Sequence, residues 1–442
     1  LISTVNKTSE VTRYNYDANE RLIHVDEDWE KGQDTYLDYD ANGLLTRIRC
    51  ESYSRNDDGS ANTGQVRNYN TIYYTYYPEA DGVSRLKEVK IDLNNDNDIN
   101  TGGVYTTTYT YDGNSTRIAS ISQTDGTHVS FTYQESNGNY KVKTMTDAQG
   151  DTAVFSYEDG YTDVKDALGN ITTFRFDPEN RLTKIEQPAI NGIRSTVEYE
   201  YDDDNDPDNI TKIIDANGNE VVYRYDADGN QIYQRDQLGN VIERTYIDDI
   251  IDSVTGEVKA RNKLETETIY MVADPDGEDP AQPQDPKTSY FVYDDDGYLT
   301  YTIDAEGGVT YSKWNHGTGT KEYSLVFTAD RYDVSSLDPQ SLPSEAAFFG
   351  FLEDWADTQV NNSQAIRTEY TYDFRDQVTT ATTYSKLDTQ GNGVASSKST
   401  THYIYDARGR LLKTVDPRAA SVTDESYASH ITYDGLGRVL TT

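Results

Sequence analysis

The chain has 442 residues, of which 39 are Lys or Arg and 77 are Asp or Glu, so its formal net charge is −38. This acidity argues against binding to nucleic acid or to anionic membrane surfaces, because both recruit Lys and Arg. No apolar run is long enough to span a bilayer. The single cysteine, Cys50, cannot form an internal disulfide or a thiolate metal cluster. We therefore expect no nucleic-acid partner and no membrane span.

Tyrosine is strongly over-represented in this chain. There are 38 Tyr against 10 Phe and 3 Trp, although only 35% of the residues are hydrophobic. A disordered acidic chain would be poor in aromatic residues. The composition therefore predicts a folded protein whose core contains rings that keep a polar hydroxyl at one end.

One phrase recurs along the whole sequence. It consists of an aromatic residue, any residue, Tyr and Asp, then a short Gly or Asn turn, then Arg or Gly followed by an aliphatic residue. Adjacent copies lie roughly 20–25 residues apart, which is typical of a repeat architecture. The residues that define the copies are Tyr14, Tyr16, Asp17, Tyr39, Asp40, Gly43, Tyr109, Tyr111, Asp112, Phe174, Phe176, Asp177, Tyr199, Tyr201, Asp202, Tyr223, Tyr225, Asp226, Gly229, Phe291, Tyr293, Asp294, Gly297, Tyr370, Tyr372, Asp373, Tyr403, Tyr405, Asp406, Gly409, Tyr433, Asp434 and Gly437.

A second turn phrase, Asp-x-x-Gly, begins at Asp166, Asp215, Asp236 and Asp304. In aromatic-x-Tyr the two rings are two residues apart, so they point to one face of a strand. The following Asp can accept hydrogen bonds from backbone amides ahead of it, and Gly supplies the positive-φ position that closes a hairpin. Each cycle therefore predicts a strand, a turn, a second strand and a second turn.

The number of cycles constrains the architecture. About fourteen units of two strands would give near thirty strands, whereas open twisted sheets rarely exceed about ten without curling or splitting. Consecutive hairpins favour antiparallel pairing of neighbours, and a propeller would need a fixed phase that the irregular insertions break. We predict an all-β fold: a long antiparallel hairpin-repeat sheet that spirals into a hollow shell or tube, with one inserted helix.

The phrase Tyr-x-Tyr-Asp-x-x-Gly-Arg-Leu, best preserved in residues 403–411 and 431–439, resembles the tyrosine-aspartate (YD) repeats of the Rhs family. That family includes insecticidal toxin-complex components, bacterial wall-associated proteins, polymorphic toxins and the animal teneurins. The resemblance covers most of the chain. It implies a β-sheet that spirals into a hollow shell, often around a toxic C-terminal segment. The sequence shows no match to the self-cleaving core segment of Rhs toxins or to a toxin domain, so it resembles the wall alone.

Five segments are predicted. The repeat spiral covers 1–246, 290–329 and 367–442; an acidic, Pro-rich surface insertion covers 247–289, and a helical insertion covers 330–366. Within the last of these, residues 341–360 predict a helix with Ser341 as its cap and Pro343 in its first turn. Its apolar face would consist of Phe348, Phe351, Leu352 and Trp355, with Phe349 off that stripe and exposed. Two roles stay open: packing on the sheet, or acting as a plug, lid or contact with another molecule.

One loop carries oxygen ligands at the spacing of a calcium site. The candidate ligands are Asp92, Asn94, Asp96, Asp98 and Asn100, with Asn97 where such a loop turns sharply. However, the usual Gly at the sixth position is Asn97, and Gly103 stands where a Glu would complete the site. The sequence thus leaves two interpretations, a Ca²⁺ site and a solvated polar hairpin loop.

The sequence contains no catalytic signature. The five histidines are scattered, and neither a nucleophile elbow nor a phosphate-binding Gly-rich loop occurs. We therefore expect a protein that is not an enzyme and that forms an extracellular or cell-surface structure. By resemblance, its role would be to enclose a toxin or other payload supplied by the same longer polypeptide, of which a chain opening with Leu1 would be a piece.

Two alternatives to encapsulation remain at this point. Copies of the chain could continue the spiral end to end as a surface filament through their edge strands. The insertions or exposed Tyr faces could instead make the protein an adhesin that binds glycans or a partner cell.

Overall fold

The computed structural model describes most of the chain. The described residues are 2–5, 11–27, 34–52, 68–78, 82–93, 97–100, 102–136, 138–251, 255–275, 277, 283–339, 342, 345–361, 364–373, 375–406, 408–433 and 437–441. The predicted repeat residue Asp434, the predicted ligands Asn94 and Asp96, and the predicted cap residues Ser341 and Pro343 lie outside them.

The described elements are almost all strands. The first twelve are β1 (Ile2–Val5), β2 (Val11–Tyr16), β3 (Leu22–Asp26), β4 (Asp34–Tyr39), β5 (Leu45–Ser52), β6 (Asn68–Tyr76), β7 (Leu86–Asp92), β8 (Val104–Tyr111), β9 (Ile118–Gln123), β10 (His128–Ser136), β11 (Asn139–Asp147) and β12 (Thr152–Glu158). The next twelve are β13 (Tyr161–Lys165), β14 (Ile171–Phe176), β15 (Leu182–Glu186), β16 (Thr196–Glu200), β17 (Lys212–Ile214), β18 (Glu220–Tyr225), β19 (Gln231–Arg235), β20 (Val241–Tyr246), β21 (Ile250–Ile251), β22 (Val258–Ala260), β23 (Leu264–Val272) and β24 (Gln284–Tyr293).

The remaining strands and the helix follow. They are β25 (Leu299–Ile303), β26 (Val309–Asn315), β27 (Thr320–Phe327), α1 (Glu345–Asn361), β28 (Ala365–Tyr372), β29 (Val378–Tyr384), β30 (Lys398–Tyr405), β31 (Leu411–Val415), β32 (Ala428–His430), β33 (Thr432–Tyr433) and β34 (Val439–Thr441).

Thirty of these strands form one antiparallel sheet. Each strand pairs with the next along the chain, as β13 does with β14 and β14 with β15. Two small pairs, β21 with β22 and β33 with β34, stand outside it. This arrangement confirms the predicted all-β class and the single large antiparallel sheet. It follows from short hairpins, which favour pairing between sequence neighbours.

A β-bulge interrupts the pairing at the second aromatic residue of most copies. Between β4 and β5, Asp38 lies opposite Arg47 and Tyr39 lies opposite Leu45, so Thr46 is the extra residue. A bulge bends the strand and increases its twist, so its repetition curves the sheet progressively. The same shift occurs at Tyr16, Tyr76, Tyr111, Tyr133, Phe176, Tyr225, Tyr246, Tyr293, Trp314, Tyr372, Tyr405 and Tyr433.

Helix α1 covers one face of the sheet around β24–β28 and completes the largest described core cluster. Leu352 is fully buried and Phe348 nearly so, with the Phe348 ring edge-on to Tyr290 at 6.3 Å between centroids. The predicted apolar stripe is wrong in one respect. Phe351 is 57% exposed, whereas Phe349 packs edge-on against Tyr301 at 5.4 Å.

The buried side of the helix is therefore rotated toward Phe349, which contacts Tyr301, and away from Phe351. We infer that α1 packs on the sheet that it leaves, as the first of the two predicted roles has it. Among the described helical residues, no stretch is both long and apolar enough to cross a membrane.

The sheet runs through part of the segment predicted as a surface insertion. Strand β23 and the first residues of β24 lie within 247–289, and the two strands pair from Thr266 and Tyr290 to Val272 and Gln284. The Pro-rich residues 280–282 lie outside the described part of the chain. Strand propensity in the run from Leu264 to Val272 explains why the hairpin continues there despite the missing motif.

Candidate functional site

A hydrogen bond between successive hairpins recurs along the sheet. The second aromatic residue of a copy donates its side-chain O–H, or N–H in the case of Trp, to a backbone carbonyl. That carbonyl lies at or near the start of the second strand of the preceding hairpin. The donors and acceptors are Tyr39 to Leu22, Tyr76 to Leu45, Tyr111 to Leu86, Tyr133 to Ile118, Tyr157 to Val142, Tyr201 to Leu182, Tyr225 to Ile210, Tyr246 to Gln231, Tyr293 to Leu264, Trp314 to Leu299, Tyr372 to Lys321, Tyr405 to Val378 and Tyr433 to Leu411. We call these contacts the ring links.

The Asp of most described motifs builds the tip of its hairpin. The Asp40 carboxylate accepts hydrogen bonds from the amides of Asn42 and Leu44, both at 2.9 Å. Gly43 closes the turn with a φ of 84°, a conformation that glycine adopts without steric cost. The second turn phrase folds in the same way, since Asp215 accepts from the amides of Asn217 and Asn219. Both predicted turn types therefore form the same kind of five-residue loop. The two types lie at opposite ends of the strands.

Arginine connects the tip of one copy to the ring of the next. The Arg21 Nε donates to the Asp17 carboxylate at 2.7 Å, and its guanidinium lies 4.7 Å from the centroid of the Tyr39 ring. Arg181 repeats this arrangement between Asp177 and Tyr201. Guanidinium groups are favourable over aromatic faces and against carboxylates. Each arginine thus fixes the register of two neighbouring hairpins.

The structure places most of the predicted repeat residues in ring links or in the turns that follow them. Two of the second aromatic residues are exceptions. Tyr16 belongs to the first copy and is partly exposed, and Phe176 has no hydroxyl to donate. Five ring-link donors, Tyr76, Tyr133, Tyr157, Tyr246 and Trp314, are not among the residues that define the copies, because no Asp follows them. Tyr76, Tyr133 and Tyr157 keep the aromatic-x-Tyr pair, which was the signal available in the sequence.

The end of the sheet returns to its beginning. Arg375, at the tip between β28 and β29, donates to the Glu27 carboxylate at 3.1 Å across 348 residues of sequence. Arg408, at the next tip, lies near Cys50 in β5. Arg438, before β34, lies near Asp125, whose pKa its charge helps to lower, and near Tyr105 in β8, which donates to Asp125. We call this line of contacts the winding seam.

The winding seam has a constant offset. Arg375 follows β28 and meets the end of β3, and Arg408 follows β30 and lies near β5. The strand numbers differ by 25 in both cases, which is 23 strands of the main sheet, since β21 and β22 stand outside it. In each case the arginine lies in the turn of a motif. Its partner lies at the ends of earlier strands that point away from their own motif turns. Burial lowers the pKa of Arg408, and the neighbouring Arg410 acts in the same direction. The sheet therefore winds so that its last strands lie beside its first ones, with the ends of the two sets of strands facing each other.

The predicted calcium loop is described in part. Asp92 is fully buried, and its Oδ2 accepts from the Asn97 amide at 2.7 Å. Asn97 adopts the left-handed conformation expected of a sharp turn, with φ of 63°, and Asp98 accepts from the Asn100 amide at 2.9 Å. These bonds are compatible with both interpretations of the loop. Among the described residues, no three His, Cys, Asp or Glu side chains are arranged to hold a metal ion.

Comparison with known proteins gives weak likenesses only. No protein-family model matches the chain, and no curated protein matches it. Among solved structures, the Photorhabdus luminescens Tc holotoxin pore aligns with 100% of this chain and 27% of its own at 11% identity, with a TM-score of 0.43. The TcdB2-TccC3 crystal structure aligns with 99% of this chain and 29% of its own at 11% identity, with a TM-score of 0.31. The chain thus spans less than a third of the length of either.

The first prediction concerns the ring links. Replacing Tyr201 by Phe removes the hydroxyl that donates to the Leu182 carbonyl at 2.8 Å and leaves that acceptor without its partner. We expect the free energy of unfolding to fall by about 1 kcal/mol, measured by urea denaturation. The control is Tyr199→Phe in the same motif, whose hydroxyl has no such bond in the described structure and which should cost much less. Equal losses in the two variants would contradict the role of the link.

The second prediction concerns the tip carboxylates. The Asn219 side chain and amide donate to Asp215 and hold the pKa of its carboxyl below the usual 3.8. A lowered folded pKa stabilises the protein above the unfolded pKa, and this contribution disappears as pH falls through the folded value. We expect Asp215→Asn to be less stable than the native protein at pH 7 and the difference to shrink below about pH 4. Asp228→Asn removes a carboxylate that accepts no hydrogen bond in the described structure, so it should show no such pH dependence.

The third prediction concerns the calcium loop. If the loop binds Ca²⁺, chelation should lower the melting temperature of the protein, because ligand bound to the folded state alone stabilises it. The measurement is a thermal melt with excess chelator and with added calcium, repeated for Asp98→Ala. An identical melt of the native protein in both conditions rejects the site and leaves the polar-loop interpretation.

Proposed function

We propose that this chain is a structural protein whose wound sheet forms part of the wall of a hollow shell that encloses a payload. The observation that carries the proposal is the winding seam. It joins Arg375 to Glu27 and places Arg408 beside Cys50 and Arg438 beside Asp125. A sheet that returns to its own edge at a constant offset can surround a space, whereas an open sheet cannot.

The wall owes its cohesion to many small contacts. Backbone pairing joins each strand of the main sheet to the next, and the ring links add a contact between neighbouring strands of successive hairpins, as from Tyr39 in β4 to Leu22 in β3. Each hydrogen bond contributes about 1 kcal/mol, so the loss of one joint does not open the wall. A covering that depends on no single contact suits a mechanical role, in which proteases stay outside and the enclosed chain stays inside.

The proposed role needs no chemistry from the wall. The clustered Asp residues serve as acceptors for loop amides, as at Asp40 and Asp215. We propose accordingly that the chain is not catalytic and acts outside the cell, with its excess negative charge keeping the wall soluble. The enclosed payload would belong to flanking parts of the same polypeptide, as the resemblance to YD-repeat proteins implies.

Protease protection of the whole natural polypeptide tests the proposal. Reversing the two charges with Arg375→Glu and Arg438→Glu places like charges at the seam, facing Glu27 and Asp125, and should open it. We expect trypsin to cleave the enclosed segments more slowly in the native protein than in this double variant. Wall strands should resist equally in both, because their backbone pairing is untouched.

A matched control and a cross-link complete the experiment. Arg418→Glu changes an arginine whose carboxylate partner is its own neighbour Asp416, so protection should stay native. A short bismaleimide should join Cys50 to an introduced cysteine in Arg408→Cys but not in Arg418→Cys. Equal cleavage of native protein and seam variant would overturn enclosure, and failure of the cross-link would overturn the winding itself.

A further inference from the structure

The ring-link positions follow a strict residue pattern, and two departures from it are adjacent. Of the thirteen donors, twelve are tyrosines and the exception is Trp314. Of the thirteen acceptor residues, eleven are Leu, Ile or Val, and the exceptions are Gln231 and Lys321. Trp314 and Lys321 belong to the same hairpin, and the Lys321 Nζ lies 5.1 Å from the centroid of the Trp314 ring. Departures from a structural rule concentrate at functional sites.

These two residues line one cavity of about 530 Å³. Its other walls include the rings of Tyr370 and Tyr372 and the side chain of Asp376. A volume of this size falls in the range of small-molecule sites. Tyr372 donates its hydroxyl to the Lys321 carbonyl and so holds the backbone of the lysine in place.

Lys321 is an unusual cation for this protein. Acidic residues outnumber basic ones by 77 to 39, yet no carboxylate of the described structure lies within ion-pair distance of Lys321. Burial lowers the pKa of its ammonium, because surroundings with little water disfavour the charged form. The ammonium is held over the Trp314 ring, with the Tyr298 ring stacked on the same indole at 5.3 Å. The cavity therefore contains a preorganised, half-buried positive charge.

The remaining groups favour a sugar over a simple anion. Thr318 and Thr320 line the cavity with hydroxyls that hydrogen-bond to each other at 2.6 Å, and Asp376 can accept from hydroxyl donors. Asp376 and the net charge of −38 would repel a dianionic phosphate more strongly than a ligand with a single carboxylate. Aromatic walls, by contrast, suit the apolar faces of a sugar ring.

We propose that this cavity binds a carboxylate-bearing sugar residue, such as a uronic acid of an acidic glycan. The sugar carboxylate pairs with the Lys321 ammonium, its hydroxyls bond to Asp376 and the two threonines, and its ring lies against Tyr370 and Tyr372. This activity is separate from enclosure. It would let the outer part of a wall attach to a polysaccharide without any change in the sheet.

Binding of galacturonic acid by the full chain tests the proposal, with titration calorimetry and saturation-transfer NMR as readouts. We expect galacturonic acid to bind and galactose and the methyl ester of galacturonic acid to bind at least about tenfold more weakly, since both lack the negative charge. Lys321→Leu restores the aliphatic residue of the repeat, so it should abolish binding while the melting temperature stays the same or rises. Lys321→Gln provides a second variant that keeps a polar side chain.

The matched control is Lys263→Leu, since Lys263 lies 5.8 Å from the Tyr293 ring of another hairpin and outside the cavity. Its affinity for galacturonic acid should remain native. Three results would overturn the proposal: galactose binding as tightly as galacturonic acid, inorganic phosphate binding as tightly, or unchanged binding in folded Lys321→Leu. None of these readouts depends on the winding seam, so failure here leaves the proposed wall function untouched.

Discussion

The ring link is the contact on which the rest of the structure depends. Backbone pairing between the last strand of one hairpin and the first strand of the next stops short of the motif turn, as between β3 and β4, where it ends at His24 and Tyr36, so this end of the strand pair needs a further contact. The tyrosine hydroxyl supplies it, as between Tyr39 and the carbonyl of Leu22. Phenylalanine would bury the same ring without reaching that carbonyl. The excess of tyrosine over phenylalanine in this sequence is therefore a consequence of how hairpins are joined, and the arginine over each ring strengthens the same joint.

Curvature follows from the position of the link. The bulge at each second aromatic residue puts one extra residue in the return strand, as Thr46 does opposite the Asp38–Tyr39 step. Such a bulge bends the sheet in a defined direction, and its recurrence adds the bends together. After 23 strands of the main sheet the accumulated bending brings a motif turn to the opposite ends of earlier strands, where Arg375 meets Glu27. The seam contacts thus depend on local geometry that is repeated many times, and their arginines stabilise an arrangement that the bulges produce.

Much of this fold could be predicted from the sequence, for a definite physical reason. Residues such as Asp40 and Gly43 act within five residues of each other, so their pattern is visible in the chain. The ring links and the seam were not predictable, because their acceptors are backbone carbonyls and distant charges that no residue type marks. The helix shows the same limit: a straight stripe placed Phe351 inside, whereas the curved sheet buries the other side of α1 and leaves Phe351 exposed.

Because the same ring link repeats along the sheet, each position that departs from it can be interpreted individually. At Phe176 the hydroxyl is missing, but the backbone amide of Phe176 donates to the Gly160 carbonyl at 2.8 Å. The tight turn that precedes β13 brings this acceptor within reach, so the exception is compensated within the wall. At Lys321 there is no comparable compensation, since a cation replaces an aliphatic residue beside a cavity and has no carboxylate within ion-pair distance in the described structure. An exception such as Phe176 shows how the wall tolerates a missing hydroxyl. An exception such as Lys321 indicates where the wall has gained a binding site.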